Sequence, residues 1–131
     1  MLNGMIDFRS DTVTQPTSEM REAMYKAEVG DDVYGDDPTI NLLQELAAIK
    51  VGKASALFVP SGTMGNLTAL LTHCKRGDEI IVGDQAHIFK HEVGSYAALG
   101  GLSSYQISNN PDGTLPLDRV EAVIRGSDVH E

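Results

Sequence analysis

Apolar side chains recur at helical spacing in three segments of the first half of the chain. The first predicted helix starts at Thr17 or Ser18 and ends at Gly30, and the second starts at Thr39 and ends at Gly52. A third helix follows, and the three apolar stripes are Met20, Ala23, Met24 and Ala27, then Leu42, Leu43, Leu46 and Ile49, then Met64, Leu67, Leu70 and Leu71. Each stripe predicts a helix that buries one face.

Short apolar runs alternate with these helices and predict β-strands at 54–59, 79–82 and 102–108. Two further helices are predicted, one that runs through Leu99 to a glycine stop and one at 118–125. The alternation predicts an α/β fold with an open, mostly parallel sheet, flanking helices and right-handed crossovers. The last helix lacks the strand that should follow it, so we expect the fold to continue beyond the printed sequence.

Residues 1–16 show no helical period and predict an extended N-terminal arm, which precedes a domain spanning 17–131. The arm is rich in polar side chains, Ser10 among them. In a free tail such side chains would be solvated, whereas in a segment lying over a site they would form hydrogen bonds with a ligand. The residues alone leave both interpretations open.

The segment 28–38 is predicted to be a loop, because acidic residues and glycines surround a lone aromatic residue, Tyr34. Its spacing lacks the alternating aspartates and the closing glutamate of a calcium loop. Solvated, turn-forming acids are therefore favoured over a metal site. Tyr34 is the side chain in this loop that we single out as a candidate contact.

Composition narrows the class of partner. Lysine and arginine number 10 against 19 acidic residues, which gives the 131-residue chain a net charge of −9. This charge disfavours binding to nucleic acid or to anionic membranes and favours a small-molecule site. Cys74 has no cysteine partner, and no apolar run approaches the roughly 20 residues that span a bilayer. We therefore expect a cytoplasmic setting with neither a membrane nor a nucleic-acid partner.

The segment 57–66 passes from an apolar run through a Pro-Ser-Gly turn into the third helix. Such a turn gathers backbone N–H groups, the positive end of a helix dipole and the hydroxyls of Ser61 and Thr63 around one point. Gly62 and Gly65 carry no Cβ that would keep an anion from the backbone. Walker and dinucleotide spacings are absent, so the residues indicate either a cofactor with a single phosphate or an ordinary capped turn.

His87 follows the predicted strand 79–82 at the point where a helix begins. Ligands of open α/β sheets bind at the carboxyl ends of strands, so we expect His87 to face the same crevice as the Ser61–Thr63 turn. His91 lies four residues further on, which is the spacing of a two-histidine metal face. The glutamate of a zinc protease motif and a third ligand are missing, which favours stacking or proton transfer over metal binding.

Four segments together resemble one enzyme family, namely IDFRSDTVT at 6–14, VGDDVYG at 29–35, FVPSGTMGN at 58–66 and HIF at 87–89. The sequence is similar to the low-specificity L-threonine aldolases, which are pyridoxal-phosphate enzymes of the aspartate aminotransferase fold, also called fold type I. The resemblance implies cleavage of threonine or allo-threonine to glycine and acetaldehyde by a homotetramer with active sites shared between subunits. It also implies that this chain forms the N-terminal half of the large, cofactor-binding domain.

The same resemblance assigns roles to individual residues. Ser61, Gly62 and Thr63 would bind the phosphate of pyridoxal phosphate, and His87 would stack on its ring and take part in proton transfer. Ser10 would hydrogen-bond the substrate carboxylate, and Tyr34 would reach the site of a neighbouring subunit. His91 departs from the family pattern, in which an aromatic residue can occupy this position near the substrate. The resemblance therefore does not determine the selectivity for the substrate side chain at this position.

Two catalytic groups of the family have no counterpart in this chain. They are the lysine that forms the Schiff base and the aspartate that binds the pyridine nitrogen, and both are expected beyond Glu131. The lysines present do not match the family position; they are Lys26, Lys50, Lys53, Lys75 and Lys90. We therefore expect an N-terminal part that is inactive alone, with a related β-eliminating lyase or a non-catalytic binding or oligomerisation module as alternatives.

Overall fold

The computed structural model of the chain describes residues 6–126. It divides into two compact units, Met1–Phe58 and Val59–Glu131. The first unit contains a 3-10 helix and two α-helices, which are Asp11–Val13, α1 Ser18–Lys26 and α2 Pro38–Val51. The second contains four helices and two strands, which are α3 Gly62–His73, β1 Glu79–Gly83, α4 His87–Lys90, α5 Ser95–Ala98, β2 Ser103–Ile107 and α6 Leu117–Ala122.

Helix α1 begins where its sequence predicts, at the N-cap Thr17, whose side chain accepts a hydrogen bond from the Met20 amide at 3.2 Å. It ends earlier than expected, at the C-cap Ala27 rather than at Gly30. The expected buried stripe is wrong for α1, because Met20 and Met24 are both exposed. It is wrong for α2 as well, where every residue of the stripe is exposed, namely Leu42, Leu43, Leu46 and Ile49. Spacing predicted both apolar faces, but residues 6–58 provide no second layer that covers them.

Helix α2 confirms its predicted end and corrects its predicted start. Gly52 takes the left-handed conformation at the C-cap, with φ 65°. The N-cap is Asp37 instead of Thr39, because Pro38 has no N–H and its fixed φ suits the first helical position. The Asp37 carboxylate accepts hydrogen bonds from the amides of Ile40 at 2.8 Å and Gly30 at 3.1 Å.

The N-terminal arm is not extended throughout. Ser10 caps the 3-10 helix, since its Oγ accepts the amide of Thr12 at 3.2 Å. The first five residues of the expected 1–16 arm lie outside the described range. The described part of the arm is thus held by local hydrogen bonds.

In the loop after α1, Gly30 is tightly placed, because a Cβ there would collide with the carbonyl oxygen of Asp36.

The second unit contains a parallel pair of strands, β1 and β2, in the register Glu79 opposite Ser103 through Gly83 opposite Ile107. Both strands and their parallel pairing confirm the sequence prediction for 79–82 and 102–108. The buried apolar residues of this unit lie on and beside the sheet, and they are Val82, Tyr96, Leu102 and Ile107. The Tyr96 hydroxyl hydrogen-bonds the Ser104 hydroxyl at 2.9 Å, which ties α5 to β2.

Three predicted elements differ from the structure. Residues 54–59 form no strand, because no described strand lies beside them to complete a hydrogen-bond ladder, so the described sheet has two strands instead of three. The helix expected to run through Leu99 is broken into α4 and α5 by Val93 at φ 55° and Gly94 at φ 66°. Helix α6 is shorter than 118–125 at its C-terminal end.

No helix within residues 6–126 is both long and apolar enough to cross a membrane.

Candidate functional site

The Ser61–Thr63 turn, which we call the phosphate loop, forms the start of α3. Ser61 is the N-cap, and its Oγ accepts the Met64 amide at 3.1 Å, while its carbonyl accepts the Gly65 amide at 3.0 Å. The amides of Gly62 and Thr63 precede the first residues that can bond within a helix, so they point outward. The turn therefore provides backbone donors at the positive end of a helix dipole.

The surroundings of the phosphate loop leave room for an anion. Ser61, Gly62 and Thr63 are all exposed. A Cβ built on Gly62 would meet no atom within 4 Å, which means that an anion can approach the backbone there. Gly65 is closer to its neighbours, since its Cβ would lie 3.4 Å from Cγ2 of Val59. This geometry fits the phosphate group of a cofactor such as pyridoxal phosphate.

His87 is the first residue of α4 and follows β1 after the short segment 84–86. Its side chain is 65% exposed, and its ring lies 5.2 Å from the ring of His91 at a tilt of 48°. The Nε2 atom lies 3.8 Å from Oε1 of Glu92. An exposed, flat imidazole at the carboxyl end of a strand is placed to contact a planar ligand and to exchange a proton.

Glu92 connects the segment that carries His87 to α3. Its side chain is 1% exposed, and its Oε1 accepts a hydrogen bond from Nδ2 of Asn66 at 2.7 Å. Asn66 lies one helical turn after Gly62, on the same face of α3. A single buried carboxylate oxygen thus lies between the helix of the phosphate loop and the imidazole of His87.

Asp84 anchors the chain between β1 and α4. Its Oδ1 accepts the Asn109 amide at 3.3 Å and Nε2 of Gln85 at 3.2 Å. Hydrogen bonds from the Asn109 amide and then from the Ser108 hydroxyl lower the pKa of Asp84, so it remains an anion at neutral pH. Asn109 in turn accepts the Gln85 amide at 3.1 Å, which joins the carboxyl ends of the two strands.

A cleft of about 590 Å³ opens at these strand ends, with Gly83, Gln85 and Asn109 among its lining residues. Neither the phosphate loop nor His87 is part of its lining. Within residues 6–126, no three His, Cys, Asp or Glu side chains lie close enough together to hold a metal ion. The phosphate loop and His87 are therefore candidates that stand apart from the lining of this cleft.

Ser10 and Tyr34 belong to the first unit and are described within it. The Ser10 hydroxyl takes part in local bonds, because it accepts from Oγ1 of Thr12 at 2.9 Å and lies 3.2 Å from Oδ1 of Asp11. Tyr34 is exposed in a turn, where the amide of Val33 donates to the Asp31 carboxylate at 2.8 Å. Both side chains are at the surface of their own unit.

Sequence reasoning missed Asn66 and Glu92. Asn66 is an amide residue in a helix that carries a predicted apolar stripe, which was a usable signal, because such a side chain needs a partner when it is buried. Glu92 gave no comparable signal, since a glutamate in a predicted helix is ordinarily a solvated residue. Its burial depends on the break between α4 and α5, which the sequence did not predict.

Comparison with protein families gives one match over most of the chain. The sequence model of the family described as beta-eliminating lyase matches residues 7–131. The low specificity L-threonine aldolase of Escherichia coli (strain K12) is 56% identical over 126 residues, which cover 96% of this chain and 38% of that protein.

Similar relatives occur in eukaryotes. The low-specificity L-threonine aldolase 1 of Arabidopsis thaliana is 52% identical over 126 residues, or 95% of this chain and 35% of that protein. The low specificity L-threonine aldolase of Saccharomyces cerevisiae is 43% identical over 94 residues, or 71% of this chain and 24% of that protein. The chain therefore spans well under half the length of these curated relatives.

Proposed function

The chain belongs to the beta-eliminating lyase family, and from that premise we propose that it is part of a threonine aldolase that depends on pyridoxal phosphate. The reaction is cleavage of L-threonine or L-allo-threonine to glycine and acetaldehyde. The identity to proteins named low specificity L-threonine aldolases supports this substrate class. The observation that carries the proposal is that the exposed Ser61–Thr63 turn at the start of α3 and a histidine next to the Glu92 carboxylate lie in one unit of the structure.

We assign 17–131 to the first part of the large domain of a fold-type-I enzyme, with 1–16 as its N-terminal arm. The parallel strands β1 and β2, with helices in the connection between them, support this assignment. Parallel neighbours require such crossover connections, and helices usually provide them. The remaining strands of the sheet would come from sequence outside residues 6–126.

Ser61, Gly62 and Thr63 hold the cofactor phosphate in this proposal. The amides of Gly62 and Thr63 donate to phosphate oxygens, and the hydroxyls of Ser61 and Thr63 donate alongside them. Ser61 can do this while capping α3, because its Oγ uses a lone pair for the Met64 amide and keeps its proton for the anion. The openness at Gly62 supports this mode of binding.

His87 stacks on the pyridine ring and moves the proton of the substrate β-hydroxyl. When bound, pyridoxal phosphate supplies the electron sink that weakens the bond between the α and β carbons of the amino acid. The imidazole accepts the hydroxyl proton, so that the aldehyde can leave, and Glu92 faces the imidazolium that forms. Exposure of the His87 ring supports direct contact with ligands.

Ser10 and Tyr34 complete the proposed substrate contacts. Ser10 hydrogen-bonds the substrate carboxylate, and Tyr34 reaches the site of a neighbouring subunit in a homotetramer. The exposure of both residues supports these roles, since neither is enclosed by its own unit. Binding at Ser10 would exchange its local hydrogen bond to Asp11 for one to the substrate.

The test is a product assay on the full-length protein loaded with pyridoxal phosphate. We expect acetaldehyde and glycine from threonine, and no pyruvate from cysteine or tyrosine. We also expect His87→Ala to lower kcat by about 100-fold or more, the usual effect of removing a general base. His73→Ala, at the exposed end of α3, is the matched control and should leave kcat unchanged.

Pyruvate from cysteine or tyrosine without acetaldehyde from threonine would replace this proposal with a β-eliminating lyase. Failure of the protein to bind pyridoxal phosphate would favour a non-catalytic module.

A further inference from the structure

Glu92 is unusual among the described acidic residues of the second unit, because its carboxylate is removed from water. Its side chain is 1% exposed, whereas the side chain of Glu79, which forms an ion pair with Arg125, is 22% exposed. Burial of a carboxylate is costly unless polar partners replace the lost water. The identity of those partners therefore indicates what the carboxylate does.

Its polar partners converge on one oxygen. Oε1 accepts a short hydrogen bond from Nδ2 of Asn66 at 2.7 Å and lies 3.8 Å from Nε2 of His87. The second distance exceeds a hydrogen bond but matches an ion pair when the imidazole is protonated. Asn66 is neutral, so the titratable groups facing His87 are Glu92 and the tilted ring of His91.

The backbone after Glu92 supports a fixed position for this carboxylate. Val93 has φ 55° and a side chain in solvent, and Gly94 follows with φ 66°. A β-branched residue is strained in the left-handed region, and such strain persists only where neighbouring contacts impose it. The Ser95 amide closes this turn on the Glu92 carbonyl at 3.1 Å. The turn places the Glu92 side chain inside and the Val93 side chain outside.

We propose that Glu92 is the positioning residue for His87. Asn66 holds the Glu92 carboxylate, which keeps the distance between the phosphate loop and the His87 imidazole constant. His87 itself is 65% exposed, and an exposed ring has several rotamers open to it. A fixed negative charge on its Nε2 side selects the rotamer that directs Nε2 inward and leaves Nδ1 for the ligand side. This inference rests on the proposed function, because it assigns Glu92 to the reaction in which His87 moves a proton.

The test is a double-mutant cycle in the full-length protein. Glu92→Gln removes the charge while preserving size, and we expect it to lower kcat for threonine cleavage by about 10- to 100-fold with little change in KM. Glu92→Asp should recover part of that loss. In a His87→Ala background, Glu92→Gln should change kcat by less than about twofold, because its effect passes through His87.

A second readout needs neither the cofactor nor turnover. Crystal structures of the ligand-free protein should show one His87 rotamer in the wild type and more than one in Glu92→Gln. Glu121→Gln, on the exposed part of α6, is the matched control and should change neither the rotamer nor kcat.

An equal loss of kcat from Glu92→Gln with and without His87 would overturn the inference, as would an unchanged single rotamer in the variant. The proposed function fails separately, if the wild-type protein releases no acetaldehyde from threonine.

Discussion

Among the described residues, each of the two units buries one carboxylate, and the two carboxylates have different hydrogen-bond partners. In the first unit Asp37, 7% exposed, accepts the backbone amides of Ile40 and Gly30. In the second unit Glu92, which is 4% exposed as a whole residue, accepts a hydrogen bond from the side chain of Asn66 and faces the imidazole of His87. Asp37 thus caps a helix and closes a loop, while Glu92 connects two candidate site elements.

The comparison separates a structural carboxylate from a functional candidate. Backbone amides are present whatever the sequence, so a carboxylate bound to them needs only the right local turn. A carboxylate bound by side chains needs particular residue types at positions far apart in the sequence. Such an arrangement favours a role that depends on the chemistry of those side chains. The same contrast appears in packing, where α1 leaves its methionines exposed and the sheet of the second unit buries Val82 and Ile107.

The largest expected effect comes from breaking the loop that Asp37 closes. Gly30→Ala would put a Cβ into the Asp36 carbonyl, and backbone cannot rotate away as a side chain can. We expect a loss of about 3 kcal/mol in the free energy of unfolding, measured by chemical denaturation of the full-length protein.

Gly35→Ala in the same loop is the matched control, since it has φ 72° and open space around its Cβ position. It should cost only about 1 kcal/mol, the strain of a left-handed alanine. Equal losses at the two positions would mean that conformation, and not the close contact at Gly30, limits this loop.

An intermediate effect on the free energy of unfolding is expected when the pH is lowered. Hydrogen bonds from the Ile40 amide and then the Gly30 amide lower the pKa of Asp37 below its ordinary value of 3.8. The folded state therefore holds the proton more weakly than the unfolded state. The stabilisation is present above pH 3.8 and is lost as the pH falls through the lower, folded-state pKa.

Asp37→Asn should consequently lower the urea midpoint at about pH 7 and reduce its further fall on acidification to about pH 3. Asp84, whose pKa is also lowered, provides the counterpart in the second unit through Asp84→Asn. An acid response that neither substitution changes would show that other carboxylates control it.

The smallest expected effect comes from removing one helix N-cap in each unit, and cofactor binding should distinguish the two variants. Thr17→Ala and Ser61→Ala each remove an N-cap hydrogen bond, at 3.2 Å and 3.1 Å, and each should cost about 1 kcal/mol. Ser61→Ala alone should also weaken pyridoxal phosphate binding by about tenfold, because the proposed site has its hydroxyl donate to the phosphate. A titration of the ligand-free protein with the cofactor measures this difference, and an equal loss of affinity in Thr17→Ala would contradict it.

Sequence reasoning succeeded where structure depends on nearby residues. Helix α3 follows the Pro-Ser-Gly turn and α2 ends at Gly52, both as predicted, because caps act over one turn of chain. It failed for 54–59, whose apolar run suits a strand but finds no described partner. It also failed at Asp37, where the proline at the first helical position shifted the cap.

The sequence by itself determined the helical periods, two of the predicted strands, the family and the candidate residues Ser61, Gly62, Thr63 and His87. These depend on local geometry and on residue identity. Only the tertiary structure decided that Glu92 is buried and that Asn66 and His87 share its Oε1. The physical reason is that burial of a charge depends on partners distant in sequence, which come together only when the left-handed turn at Val93 and Gly94 redirects the chain.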